Sequence, residues 1–218
     1  MEHTEEYLVP IVNMETLENY YREDYNTKGK LIESIGQQFL KFYNFNTVPI
    51  TTKLLQKTQG DTVGTMTIPK LINKQITIEF KAGGNYKGYN DLSIDLEYFT
   101  KEVLLYANGG TNMGWLFTTT SDFIITVVPK TKKLYCISWY GNKGIHKALI
   151  RAYSLFMDNI EPLPSWATIE LTTSDKIKNT RVLKLNLDKL IEECPEYIEE
   201  YKLIGMNEYF NILEKELA

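Results

Sequence analysis

The chain has 218 residues, of which 43% are hydrophobic, 24% charged and 12% aromatic, with a formal net charge of −4. That length can bury a large core as one domain, with or without an appendage. Low-complexity linkers and apolar runs of membrane-spanning length are absent, and the acidic start MEHTEEYLVP lacks the basic-then-apolar layout of a signal peptide, so a cytoplasmic protein is expected.

Two cysteines, Cys136 and Cys194, and two histidines, His3 and His146, offer no zinc spacing. A metal bound only by carboxylates stays open. The charge is unevenly spread. Residues 1–26 carry seven acids and one base, residues 186–218 nine acids and three bases, and the middle twenty bases and twelve acids. Acidic ends around a basic centre suit a protein whose central surface meets a polyanion.

In chain order, residues 13–25 read as a short acidic helix. A second helix fits TKGKLIESIGQQFLKFYNF, with Thr27 as its N-cap and Leu31, Ile35, Phe39 and Phe42, with Ile32 and Tyr43 beside them, as its apolar stripe. Glu33 and Gln37 share a more polar face. Three strands follow, at 46–53, 61–69 and 75–83, then a fourth at 91–99 after the turn-rich GGNYKGYN. GGTNMGWLFTTTSD reads as a short helix or irregular crossover. Residues 123–129 and 133–140 form a hairpin around KTKK. The helix NKGIHKALIRAYSLFM turns Ile145, Leu149, Ala152 and Phe156 inward and repeats Lys143, Lys147 and Arg151 along its other face. A strand in WATIEL, another in VLKLNL and an acidic helical C-terminus complete the chain.

This order predicts an α/β (α+β) fold with a mixed central β-sheet flanked by helices. It divides as an acidic N-terminal helical segment (1–26), a core (27–160) and a C-terminal strand and helix extension (161–218). The aromatics Trp115, Trp139, Tyr140 and Trp166 are expected in packing rather than on a binding face.

ITIEFKAG, residues 76–83, alternates Ile76, Ile78, Phe80 and Ala82 with Thr77, Glu79 and Lys81, the pattern of a strand with one apolar face. A hairpin turning near Lys70 carries Asp61 towards Glu79, and Glu33 can reach the same edge from the preceding helix. Pairing of 75–82 with 92–99 would set Asp95 and Glu97 beside Glu79 and Lys81. Acids gathered on one sheet face repel one another, and a divalent cation removes that penalty.

Asp61, then Glu79-Phe80-Lys81 on an apolar strand, with Glu33 on an upstream helix, resembles the PD-(D/E)xK nuclease superfamily over about residues 28–157. The resemblance implies a restriction-endonuclease-like core of helix, three strands, helix and strand. It further implies Mg²⁺ or Mn²⁺ on Asp61 and Glu79, Lys81 serving the nucleophilic water, and Glu33 as a helix-borne acid. Gly60 stands where many members carry proline. A second alignment places Glu79 upstream of Asp95-x-Glu97; the first supplies an aspartate and a lysine in the usual places and is preferred. The function implied is a metal-dependent endonuclease acting on DNA, of the kind phages or mobile elements encode, with a homodimer as the expected assembly. Lys143, Lys147 and Arg151 would track the phosphate backbone. A catalytically inactive protein of the same fold, binding nucleic acid or another protein, is the alternative. A glycosidase with two carboxylates ranks below both, for want of aromatic residues around Glu79.

Overall fold

The computed structural model describes residues 7–11, 13–43, 45–52, 56, 60–66, 74–86, 88–100, 112–141, 144–174 and 178–216. In chain order these form β1 (Tyr7–Ile11), α1 (Met14–Glu18), a 3₁₀ turn (Tyr20–Arg22), α2 (Tyr25–Phe42), β2 (Asn46–Pro49), β3 (Thr62–Met66) and β4 (Lys74–Ala82). Next come β5 (Gly84–Tyr86), β6 (Tyr89–Thr100), β7 (Asn112–Met113), α3 (Trp115–Thr118), β8 (Phe123–Val128), β9 (Lys133–Ser138) and α4 (His146–Met157). The chain closes with β10 (Ala167–Ser174), β11 (Lys178–Asn186), α5 (Leu187–Glu193), a 3₁₀ turn (Pro195–Tyr197), β12 (Ile198–Gly205) and α6 (Met206–Glu216).

Seven strands make one sheet in the order β1-β12-β9-β8-β4-β3-β2. β2, β3 and β4 are an antiparallel meander, and β8 lies parallel to β4 in the register Glu79↔Ile124. The mixed central sheet flanked by helices is therefore present. A second sheet runs β10-β11-β6-β5, with β7 beside β6.

Alternation along the strands builds two cores. Ile78 and Phe80 of β4, with Ile125 and Val127 of β8, pack under Ile32, Ile35 and Phe39 of α2. On the opposite face Ile124 and Val128 join Leu92, Ile94 and Leu96 of β6 and Leu149 of α4. Each fully buried Leu, Ile or Val contributes roughly 1.5–3 kcal/mol of hydrophobic stabilisation, and the central strands collect it from both faces.

Several expectations change in detail. The cap of α2 is Asp24, not Thr27: its carboxylate accepts from the Asn26 and Thr27 N–H groups at 2.9 and 3.0 Å, and the Thr27 hydroxyl donates to its other oxygen. These bonds hold the Asp24 carboxyl below its usual range. The buried stripe of α2 keeps Ile32, Ile35 and Phe39 and adds Leu40, while Phe42 is exposed. In α4 the inward residue after Leu149 is Tyr153, and Phe156 faces out. Strand 75–82 does not pair with 92–99, since β4 already has β3 and β8 on its two edges and β6 belongs to the second sheet.

The segments expected as additions at 1–26 and 161–218 contribute strands of their own. β1 and β12 complete one edge of the large sheet, and β10 and β11 pair onward from β6. β12, expected as part of a helical tail, is a strand because β9 and β1 flank it on both sides. Pro10 suits β1's place at the sheet edge, where a missing N–H costs least.

α2 crosses β4 at Gly36, where an added Cβ would run into the Phe80 ring. Gly36→Ala gains about 1 kcal/mol of helix propensity but overpacks a site where Phe80 is only 6% exposed, costing roughly 1–3 kcal/mol. The expected result is a lower melting temperature despite better helix chemistry. A variant that melts higher would show Phe80 free to give way.

Candidate metal and catalytic site

The site begins with an edge. β3 stops at Thr62, opposite Ile78, so the Phe80 N–H of β4 has no strand partner on that side. The Asp61 carboxylate takes it, with Oδ2 accepting from Phe80 N at 2.9 Å, while Asp61 N donates to Ile78 O at 2.9 Å. Asp61 Oδ1 accepts no hydrogen bond among the described residues. The other edge is finished the same way. Asp122 Oδ2 accepts from Thr77 N at 2.8 Å and Asp122 N donates to Thr77 O at 2.9 Å. β4 is thus clamped from both sides by aspartates.

Gly60 makes the turn into Asp61 with φ +96°, a conformation proline's ring forbids. A Cβ here would also meet Ser121 Oγ at 2.6 Å and Ile78 O at 2.7 Å. The departure from the resembled family's proline therefore has a local steric cause.

With Phe80 turned under α2, Glu79 and Lys81 face the other side of the sheet. Glu79 is 5% exposed and its Oε1 is ion-paired to Lys81 Nζ. Its Oε2 is buried with no hydrogen-bond partner. Lys81 Nζ also stands 4.9 Å from the centroid of the Trp115 ring. α3 is pinned to β6 through Gly114 N, which donates to Leu96 O at 2.8 Å, and this fixes where Trp115 lies.

Asp61, Glu79, Lys81 and Glu33 line one cleft of about 590 Å³, joined by Tyr20, Lys28 and Lys30. A second hollow adjoins it across Lys30, Glu33, Asp61 and Phe80. Burial pushes the Glu79 carboxyl up to about 6; the Lys81 charge opposes the shift, Asp61 adds to it, and weaker hydrogen bonding from Lys81 and the Trp115 side chain also opposes it, the latter too loose to satisfy Oε2 at close range. Burial also raises Asp61, against the Phe80 N–H and the Lys81 charge. Glu33 is exposed and raised by partial burial and by Asp61, with Lys30 opposing.

Asp61, Glu79 and Lys81, with Glu33 at the rim, are therefore brought together as the first alignment expected. Asp95 and Glu97 are not. Both lie on β6 in the second sheet, and Glu97 is engaged by the Tyr153 hydroxyl at 2.9 Å and by Arg181 at 3.3 Å. Among the described residues no three His, Cys, Asp or Glu side chains form a metal-holding group. Two carboxylates are what Mg²⁺ takes when waters and phosphate oxygens complete its shell, so Asp61 and Glu79 fit a hard cation, and the orphaned Oε2 gives it a place to act.

Lys147 and Arg151 are exposed on α4, and Lys143 lies outside the described residues. Cys136 keeps a free thiol that burial pushes up to about 12, and it has no role in the cleft. Trp115 is the site residue that sequence reasoning placed in packing. Its position after a glycine in a crossover carries no sign that its ring would cover a lysine four elements earlier in the chain. No protein-family model, curated protein or solved structure matches the chain.

The buried acid sets a pH dependence. Below 4.5 Glu79 is protonated whether the chain is folded or not; between 4.5 and about 6 the folded chain keeps the proton and the unfolded chain loses it. Folding stability therefore falls as pH rises through this window, by about 2 kcal/mol for this group. In EDTA, Glu79→Gln should melt higher than wild type at pH 7.5 and like wild type at pH 4. Parallel melting curves across the window would show that Glu79 titrates normally.

Proposed function

We propose that the chain is a metal-dependent deoxyribonuclease that hydrolyses DNA phosphodiester bonds, with Asp61 and Glu79 holding Mg²⁺ or Mn²⁺. One observation carries this reading: Glu79 is buried, shares one oxygen with Lys81, and leaves the other unpartnered in a cleft beside Asp61. A purely structural carboxylate would have both oxygens satisfied or exposed to water. The order of helix, three-strand meander and a strand parallel to the third supports the same reading.

A cation held there would polarise a phosphoryl oxygen and lower the pKa of the attacking water. The chain's own groups do the rest. Asp61 is held by the Phe80 N–H and keeps Oδ1 for the ion. Lys81, partly exposed and steadied between Glu79 and the Trp115 ring, places its ammonium where the water enters and where negative charge grows on the phosphate. Glu33, Lys28 and Lys30 shape the mouth, the two lysines supplying positive charge towards a phosphate chain.

The test is cutting of supercoiled plasmid, linear duplex, single strand and four-way junction with Mg²⁺, Mn²⁺ or EDTA. Cation-dependent cutting is expected, abolished in Glu79→Ala and Asp61→Asn and reduced about 10²–10³-fold in Lys81→Ala. Lys81→Ala should still gain thermal stability on adding Mg²⁺; Glu79→Ala should not. Folded wild type that neither cuts DNA nor responds to Mg²⁺ would favour the alternative, a nuclease-like fold that only binds.

A further inference from the structure

A second hollow, of about 430 Å³, lies on the outer side of α4 between Tyr140, His146, Lys147, Ile150, Arg151 and Leu155. Its size falls in the ~300–1,000 Å³ range of small-ligand pockets. Its walls are two rings, two aliphatic side chains, two cations and the Ser154 hydroxyl, with no acid among them.

The Tyr140 ring is held ready. Tyr140 is 42% exposed, yet it packs against His146 with centroids 5.2 Å apart. His146 is fixed in turn: its Nε2 lies 2.8 Å from Leu116 O, where only a protonated nitrogen can donate, and its ring meets buried Trp139 at 5.4 Å. Lys147 and Arg151 stand one helical turn apart, about 6 Å along the axis, and neither forms an ion pair among the described residues.

We infer that this groove holds an unpaired nucleotide of a single DNA strand, its base stacked on Tyr140 and its flanking phosphates on Lys147 and Arg151. A paired base has both faces covered by its neighbours, so a fixed, half-exposed ring next to an apolar wall accepts only a base that has left the stack. Two cations without an ion-pair partner among the described residues, in a lining that holds no acid, supply the complementary charge. The groove is joined to the cleft through rings: Tyr140 to His146 to Trp139, Trp139 to Trp115 at 5.1 Å, and Trp115 to Lys81 at 4.9 Å. This inference rests on the reading of the chain as a protein that acts on DNA, and it deepens that reading to substrates with an unpaired segment.

Binding is measured by fluorescence anisotropy in EDTA, with labelled oligothymidylate and a labelled short duplex, so that no cutting is required. Tyr140→Ala should weaken oligothymidylate binding about 5- to 50-fold and duplex binding less than about 2-fold, while Tyr140→Phe, which keeps the ring, should bind as wild type. Replacing both Lys147 and Arg151 by alanine should lower the slope of log affinity against log salt by about 1.4. The inference is overturned if wild type does not bind oligothymidylate, if Tyr140→Ala binds it as wild type does, as expected of a groove that serves a protein partner, or if the variant loses single strand and duplex alike. Loss of Mg²⁺-dependent cutting with this binding intact would count against the nuclease reading alone.

Discussion

The hydrogen bond from the Phe80 N–H to the Asp61 carboxylate ties backbone, core and candidate chemistry together. A charge-assisted bond of this kind contributes about 1.5–3 kcal/mol, but its larger effect is geometric. It finishes the ladder of β4 where β3 ends, as Asp122 does on the opposite edge at Thr77. A strand held on both edges cannot slip in register, and a slip of one residue would exchange its two faces. Phe80 is thereby committed to the core beneath α2, and Glu79 and Lys81 to the other side. The carboxylate that fixes the strand also lines the cleft, so the site is built into the sheet rather than set on a loop.

What that rigidity holds in place is costly. Glu79 is buried with one oxygen unsatisfied, Asp61 adds its own negative charge, and Lys81 offsets only part of the burden. Sheets without such a task disperse their acids or pair them fully, as Glu97 is paired with Arg181 and Tyr153 in the second sheet. The contrast within one molecule is informative. Both glutamates sit on long strands behind apolar neighbours, yet of the two it is Glu79 that keeps a buried oxygen without a close hydrogen-bond partner among the described residues. Local energy is given up at Glu79, and packing on both faces of β4 and β8 offsets it.

Much of this was legible in the sequence because it rests on local periodicity. Alternation located β4, β8 and β9, the helical stripe located α2, and the short span from Asp61 to Glu79 allowed only a meander between them. Errors arose where a distant partner decides. The pattern of β6 is as strong as that of β4, but nothing in it says that β4's edges are already taken by β3 and β8. β12 carries Glu199, Glu200 and Lys202, whose composition suggests a helix, and becomes a strand because β9 lies alongside, with Lys133 paired to Glu200 at 2.7 Å. Asp24 took the α2 cap from Thr27 since both residue types accept helix N–H groups, and the charged one can also accept the threonine hydroxyl. Trp115 was hidden for a different reason: a tryptophan that covers a lysine and one that fills a core look identical in a sequence.

The charge distribution along the chain gains a spatial meaning from the strand order. The acidic C-terminal segment supplies β12, which lies next to the edge strand β1 with β9 and β8 between it and β4. Part of its negative charge is used locally, Glu200 by Lys133 and Glu199 by the Tyr201 hydroxyl at 2.6 Å. Lys28 and Lys30 line the cleft, whereas Lys147 and Arg151 mark the groove on α4. Lys28 and Lys30 belong to the α2 face of the sheet and Lys147 and Arg151 to the α4 face, with β9 and β8 separating β4 from β12; a polyanion approaching the cleft would be attracted by the first pair. A net charge of −4 therefore does not argue against a nucleic-acid partner, because part of the negative charge is engaged in local pairs and the strand order sets β12 apart from β4.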